Sequence, residues 1–427
     1  MLVYSPVITP RIEYIFQYLK EKTGISFELT ESNERYQQAS GAKLNYSTET
    51  FSPNDFHIIP CGLLSESGIK NWNITTSSQH DTVVFFSTGG ILGFDLPAAV
   101  FYLISRYEEY HPFTPDAYGR YPHEYSLAYQ SGFLNRPIVD EWINHFIKEL
   151  KSFFSSITFS YPAFNFIPTY DIDIAWSYLH KGWMRNVGGF FKYPKTAIER
   201  VRVLIGMQKD PFDCYDDLHE IHKRNDLKPI YFFSVGKNRS ALDKHISPDN
   251  KSYRELIKLI SGRAEIGLHP SVYSNEHPEE VAEEKKTLED IIGRAIQKSR
   301  QHYLRFKLPD TFRTLIKAGI TDEYSMGYGT VNGFRAGTSC SFLWYDLERE
   351  KGTNLRIHPL AWMDANSYYE QKLNANDARE EFEYYHQGIQ KVKGTFISVS
   401  HNHLVSKGSE WETWPQQYNQ LLNQLFK

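Results

Sequence analysis

Phe164-Asn-Phe-Ile-Pro-Thr-Tyr-Asp171-Ile-Asp173 is the stretch on which the fold turns. Phe164–Tyr170 reads as a β-strand, and two carboxylates follow at its end. Working outward, further strand-like runs come at Pro229–Ser234, Ala264–Leu268, His302–Phe306, Asp322–Met326, Leu355–His358 and Thr395–Ser400. Helical patterns lie between them, near Tyr215–Arg224, Tyr253–Ile260, Glu279–Gln297 and Pro309–Ala318, with another around 376–392. Strand and helix in steady alternation predict a parallel sheet. About seven such strands fit a (β/α) barrel better than an open sheet. The barrel is expected over residues 161–427.

Upstream, residues 1–160 read as a separate small α/β domain. Leu2 to Ile8 is a short apolar strand. Thr9-Pro10 starts a helix, with a capping hydroxyl and a proline at the first helical position. Ile12, Ile15, Phe16 and Leu19 repeat at helical spacing and Gly24 closes the helix. Strands are expected at Phe56–Ile59 and Thr82–Ser87, and helices after Asp95 and from about Val139 to Leu150. Thr88-Gly-Gly-Ile-Leu-Gly has no Lys-Ser/Thr after it and reads as a tight turn, not a phosphate cradle. Residues 111–125 form a Pro/Tyr-rich loop, and the domain boundary falls near 152–162.

Composition narrows the partners. A formal net charge of −4 and a pI near 6.5 make no field that draws nucleic acid or an anionic membrane. No run approaches ~18 apolar residues, so no membrane span is expected. The N-terminus lacks a basic segment followed by an apolar one. Three scattered cysteines, Cys61, Cys214 and Cys340, form no CxxC. They argue against a disulfide framework or a cysteine zinc site, and point to a cytoplasmic protein. Aromatic residues reach 15%, which is mostly core and only weak support for a sugar partner. The oligomeric state is not legible.

The chemistry sits at strand ends. Alternate strand residues share a face, so Asp171 and Asp173 stand side by side, about 7 Å apart. A metal ligand and a general base are the roles on offer, and loop or capping aspartates are the plainer alternative. Glu265-Ile-Gly-Leu delivers His269. Phe396-Ile-Ser-Val-Ser delivers His401, with His403 two residues on, and only one of that pair need act. Carboxylate and imidazole donors suit Zn or a similar divalent ion. Such a site hydrolyses amides, with a carboxylate taking the water proton and an imidazolium protonating the leaving amine. Arg335, in a glycine-rich loop, would pair with the base carboxylate or a substrate group, or else be an ordinary surface arginine.

The order of these motifs resembles that of the NodB-type polysaccharide deacetylases, over roughly residues 161–405. Thr169-Tyr170-Asp171-Ile172-Asp173 is similar to the family's Thr-Phe-Asp-Asp-Gly, with one residue between the carboxylates. His269-Pro270-Ser271-Val272-Tyr273 is similar to its His-Ser/Thr-x-x-His at the first histidine, with Tyr273 in place of the second. Val399-Ser400-His401 is similar to its last motif. Ser299–Phe306 and Gly333–Thr338 look like a bacterial branch carrying an extra N-terminal domain. The resemblance implies a distorted (β/α) barrel, Asp171 as general base, Asp173 and His269 as ligands, and His401 as general acid. It also implies removal of N-acetyl groups from a carbohydrate.

A catalytic zinc normally keeps three protein ligands. Tyr273 is a poor third, because its phenol ionises only near a pKa of about 10. His302 is the replacement expected here, since its strand should neighbour the one that delivers His269. Its alternation with Leu304 and Phe306 leaves a buried structural histidine as the alternative. Beside the deacetylase reading stand a non-catalytic glycan-binding or scaffold protein on a degenerate barrel, and a small-amide hydrolase of the same superfamily.

Overall fold

The strand that carries the first carboxylate runs over Asn165–Ile172, with Asp171 inside it and Asp173 just beyond its end. The computed structural model describes every residue except 54, 80, 156, 161, 182–195 and 427. The boundary stretch 152–162 therefore falls partly outside the described residues. The chain divides into two compact units. One joins Met1–Asn165 with Gly333–Pro359 and Gln387–Phe396, and the other joins Phe166–Asn332 with Leu360–His386 and Ile397–Lys427.

The second unit is mixed α/β. Its strands neighbour one another in the order Asp322–Glu323, Lys298–Ser299, Glu265–Leu268, Ile230–Phe233, Asn165–Ile172, Thr395–His401, Trp362–Met363. Five of these neighbour pairs are parallel, with Asp171 opposite Phe232, Phe233 opposite Leu268, Leu268 opposite Ser299 and Met363 opposite Val399. Parallel register brings the C-terminal ends of these strands to one edge, and the residues following each strand gather there.

Alternation decides what faces the core. Ile230 and Phe232 on one strand, and Ile397 and Val399 on another, pack with Leu304, Tyr324, Leu360 and Met363. Each such side chain contributes about 1.5–3 kcal/mol by leaving water. Gly267 is required by close approach, since a Cβ there would come within 2.3 Å of the Phe232 ring. The helices are amphipathic. In Lys251–Ser261 the side chain of Asn250 caps the Tyr253 amide, and Tyr253, Leu256, Ile257 and Ile260 form the buried stripe. Glu280–Ile292 stops at Gly293, whose φ of 76° is left-handed.

Three expected strands are corrected. His302–Leu304 is a 3₁₀ turn beyond the strand Lys298–Ser299, with Tyr303 at φ 59°. Asp322–Met326 shrinks to Asp322–Glu323. Leu355–His358 belongs to Lys351–Ile357, which pairs antiparallel with Phe342–Asp346 inside the first unit. The strand Trp362–Met363, which was not expected, runs beside Thr395–His401.

The first unit holds a four-stranded sheet in the order Glu28–Thr30, Leu2–Tyr4, Lys43–Tyr46, Phe56–Ile58, all neighbours parallel. Thr9 caps the helix Pro10–Thr23 and Gly24 ends it in the left-handed region, as its sequence predicts. Thr82–Phe85 makes an antiparallel hairpin with Thr76–Gln79 and lies outside that sheet. Asp95 caps the wholly buried helix Leu96–Ile104. No helix among the described residues is long and apolar enough to cross a membrane.

Candidate metal centre and active site

Several strand ends of the second unit deliver polar groups to a common cluster. The 3₁₀ turn carries His302 past its strand, to the level of His269, which directly follows Leu268. The His269 Nε2 lies 3.1 Å from Asp173 Oδ1, and the His302 Nε2 lies 3.6 Å from the same oxygen. Asp173, His269 and His302 each offer one ligand atom within 4.8 Å of the others. The outer ring nitrogens are held. His269 Nδ1 donates to the Arg300 carbonyl at 2.6 Å, and His302 Nδ1 meets Asp243 Oδ1 at 3.2 Å. A hydrogen bond at Nδ1 fixes the tautomer and leaves Nε2 as the donor atom, the arrangement of a metal-binding histidine.

Asp243 is itself clamped, accepting the amides of Ser240, Val272 and Tyr273. On the other side of Asp173, His401 Nε2 lies 3.7 Å from Oδ2. His401 Nδ1 is 2.6 Å from Asp364 Oδ1, and the His401 amide donates to Asp364 Oδ2 at 2.7 Å. Asp171 Oδ1 accepts from Arg300 Nη1 at 2.9 Å, while Oδ2 lies 3.9 Å from His269 Nε2. Arg300 is fully buried, donates also to Thr169 Oγ1 and the Tyr324 carbonyl, and lies 4.4 Å over the Phe232 ring. The ring that Gly267 makes room for is thus the one under the arginine that grips Asp171.

The electrostatics ask for positive charge at this point. Burial works against an ionised Asp173, yet His302 and His269 hold its carboxyl well below the usual range. Burial also works against a charged His302, but Asp173 and then Asp243 raise it to about 10. Asp173 Oδ1 is buried and receives no hydrogen bond among the described residues. An orphaned carboxylate oxygen facing two imidazole nitrogens with fixed tautomers fits a divalent cation such as Zn. At His401 burial again opposes the charge, and Asp364 outweighs it, raising the imidazole to about 9.

Nothing among curated proteins matches this chain. Residues 1–155 match the model of a family of unknown function, DUF7033. Among solved structures, the chain is similar to one described as a polysaccharide deacetylase from Mycobacterium smegmatis, at 12% identity and a TM-score of 0.42, covering 62% of this chain and 84% of that one. It is also similar to the polysaccharide deacetylase Bc1974 from Bacillus cereus, at 11% identity and a TM-score of 0.29, covering 61% and 87%. A pseudoenzyme of the CE4 family from Bacillus anthracis has 11% identity and a TM-score of 0.29, covering 61% and 60%. Likeness this slight leaves the reading of the site to its geometry.

The geometry brings Asp171, Asp173, His269, His302 and His401 together. Arg335 is corrected. It is not a surface residue and does not pair with Asp171. It is buried in the first unit, where Nε and Nη2 bind both oxygens of Glu109 at 2.8 and 2.7 Å. Arg300 holds the place expected of Arg335. Tyr273 lies in the short helix Val272–Glu276 and stacks on His277. Trp411 and Trp414 are buried and stack on each other. Arg300, Asp243 and Asp364 are the contributors that sequence reasoning missed. Asp364 carried a usable signal, because Leu360-Ala-Trp-Met-Asp ends an apolar run in an acid, as the His269 and His401 strands end in histidine.

Proposed function

We propose that this chain is a metal-dependent amide hydrolase that removes N-acetyl groups from a carbohydrate, working at the strand ends of a distorted (β/α) barrel of the deacetylase type. The observation that carries the reading is one cluster holding three parts. They are a ligand set (Asp173, His269, His302), a carboxylate gripped by arginine (Asp171–Arg300) and a carboxylate-oriented imidazole (His401–Asp364). The carbohydrate rests on the order of the sequence motifs.

A divalent ion held by the three ligands would supply Lewis-acid polarisation of the scissile carbonyl. The remaining work falls to the chain. Arg300 fixes one oxygen of Asp171 and leaves the other toward the cluster, placed to accept the proton of the attacking water. Asp364 fixes the His401 tautomer, so that Nε2–H faces the cluster and protonates the leaving nitrogen as the C–N bond breaks. Acetate and a free amine result.

The test is acetate release from N-acetylated chito-oligosaccharides, with metal content measured on the same preparation. Chelation should abolish release and added Zn should restore it. Asp171→Asn should lose at least about 100-fold in kcat, the usual scale of general base catalysis, with metal retained. Metal-loaded protein that releases no acetate from glycan or small amide sinks the hydrolase reading. Release from small amides alone moves the substrate and keeps the reaction.

A further inference from the structure

The Pro/Tyr-rich loop 111–125 has no role in the hydrolytic cluster, yet it walls a cavity. That cavity lies wholly within the first unit and measures about 270 Å³. Small-molecule pockets usually run ~300–1,000 Å³, so this one suits a single ring. Trp72, Phe113, Tyr121 and Tyr125 line it. Phe113 meets the Tyr121 ring edge-on at 4.9 Å, and Tyr125 is 48% exposed.

The polar lining is neutral in effect. Both oxygens of Glu108 are engaged, one by Arg106 Nη2 at 2.7 Å and one by the Leu127 amide at 2.8 Å. Burial lowers the His111 imidazole, which keeps it uncharged. Gln130 stands at the exposed side. No lysine or arginine lines the cavity among the described residues, so a phosphate or carboxylate would find no counter-charge. Glu108 is already neutralised by Arg106, which disfavours a cation.

Ring faces for C–H surfaces beside uncharged polar groups describe a neutral polyhydroxylated ring. We infer that the aromatic cavity between Trp72 and the 111–125 loop binds one neutral pyranose unit of a glycan, packed against its ring faces. This goes beyond the hydrolase reading and does not depend on it. It gives the N-terminal unit a sugar-anchoring role.

The full-length protein is titrated by calorimetry and saturation-transfer NMR with glucose, galactose, N-acetylglucosamine and tetra-N-acetylchitotetraose, with and without EDTA. At least one sugar should bind, and chelation should leave that binding intact. Trp72→Ala and Tyr125→Ala should each raise Kd about tenfold or more, with metal content unchanged. Trp72→Phe, which keeps a ring face, should weaken binding less than Trp72→Ala. Should Trp72→Ala fail to fold, Tyr125→Ala decides, because that side chain is half exposed. Absence of binding by all four sugars overturns the inference, and so does binding that neither alanine variant weakens. Sugar binding without acetate release from either glycan or small amide would sink the hydrolase reading and leave this one standing.

Discussion

At the scale of single residues, two imidazoles of the cluster each have Nδ1 against a buried carboxylate, His401 on Asp364 and His302 on Asp243. Asp364 is fully buried against His401 and keeps that imidazole protonated up to about 9. As general acid, His401 is active below that value, so kcat/KM should decline as pH rises past it. Asp364→Asn removes the counter-charge and leaves burial, which favours the neutral ring. The alkaline limb should then move down by on the order of two pH units. An unmoved limb in the pH–rate profile would assign it to another group. Asp243 plays the corresponding part for His302. Asp243→Asn should weaken Zn affinity roughly 10–100-fold, the scale of outer-shell losses, and His302→Ala at least as much. Competition with a chromophoric chelator measures both. Equal affinity in wild type and His302→Ala would remove His302 from the ligand set.

At the scale of elements, the helix Glu280–Ile292 pins the loop that follows His269. Glu284 reaches the Ser271 amide at 3.0 Å and the Ser271 hydroxyl at 2.5 Å. Burial pushes its carboxyl up to about 7, although the Ser271 hydrogen bonds pull the other way. An acid raised in the folded state favours folding fully below its unfolded pKa near 4.5, and that contribution is lost as pH rises through about 7. Urea unfolding should show stability falling between pH 5 and 8 by on the order of 2–3 kcal/mol. Glu284→Gln should flatten the slope, and a slope unchanged in that variant would place the dependence elsewhere. The elements themselves were legible where period and caps agree: Tyr215–Arg224 lies as its apolar spacing predicts, and Lys251–Ser261 nearly so. Asp171, Asp173, His269 and His401 were legible because apolar runs end in them. His302 was legible as a residue but not in its conformation. A two-residue strand followed by a left-handed Tyr303 leaves no alternation to read. Asp243 was hidden for a different reason: it sits among Ser240, Ala241 and Lys244 in a polar connection, and only its distant partners give it meaning.

At the scale of the molecule, the first unit is closed by chain that arrives far downstream. Arg11, fully buried, binds Glu350 through Nε and Nη2 at 2.9 and 2.5 Å. Glu109 takes both donors of Arg335. Asp140 accepts from the Thr338 hydroxyl and from the Ser339 amide and hydroxyl at 2.6–2.7 Å. Partners 198 to 339 residues apart leave no local pattern, so this closure could not be read from periodicity. Its energetic weight can be bounded. Removing one partner of a buried ion pair costs about 3–5 kcal/mol, because the other charge stays buried and unmatched. A folded domain has only ~5–15 kcal/mol in hand. A fragment of residues 1–165 loses Glu350 and Arg335 together, and with them the hydroxyls that satisfy Asp140. Those losses consume most of the available stability before any lost apolar packing is counted. The fragment should therefore show no cooperative thermal transition by circular dichroism, while Arg335→Ala in the full chain should melt earlier with its metal content unchanged. A sharp two-state melt of the fragment would show that Met1–Asn165 closes its own core and that Gly333–Pro359 only decorates it.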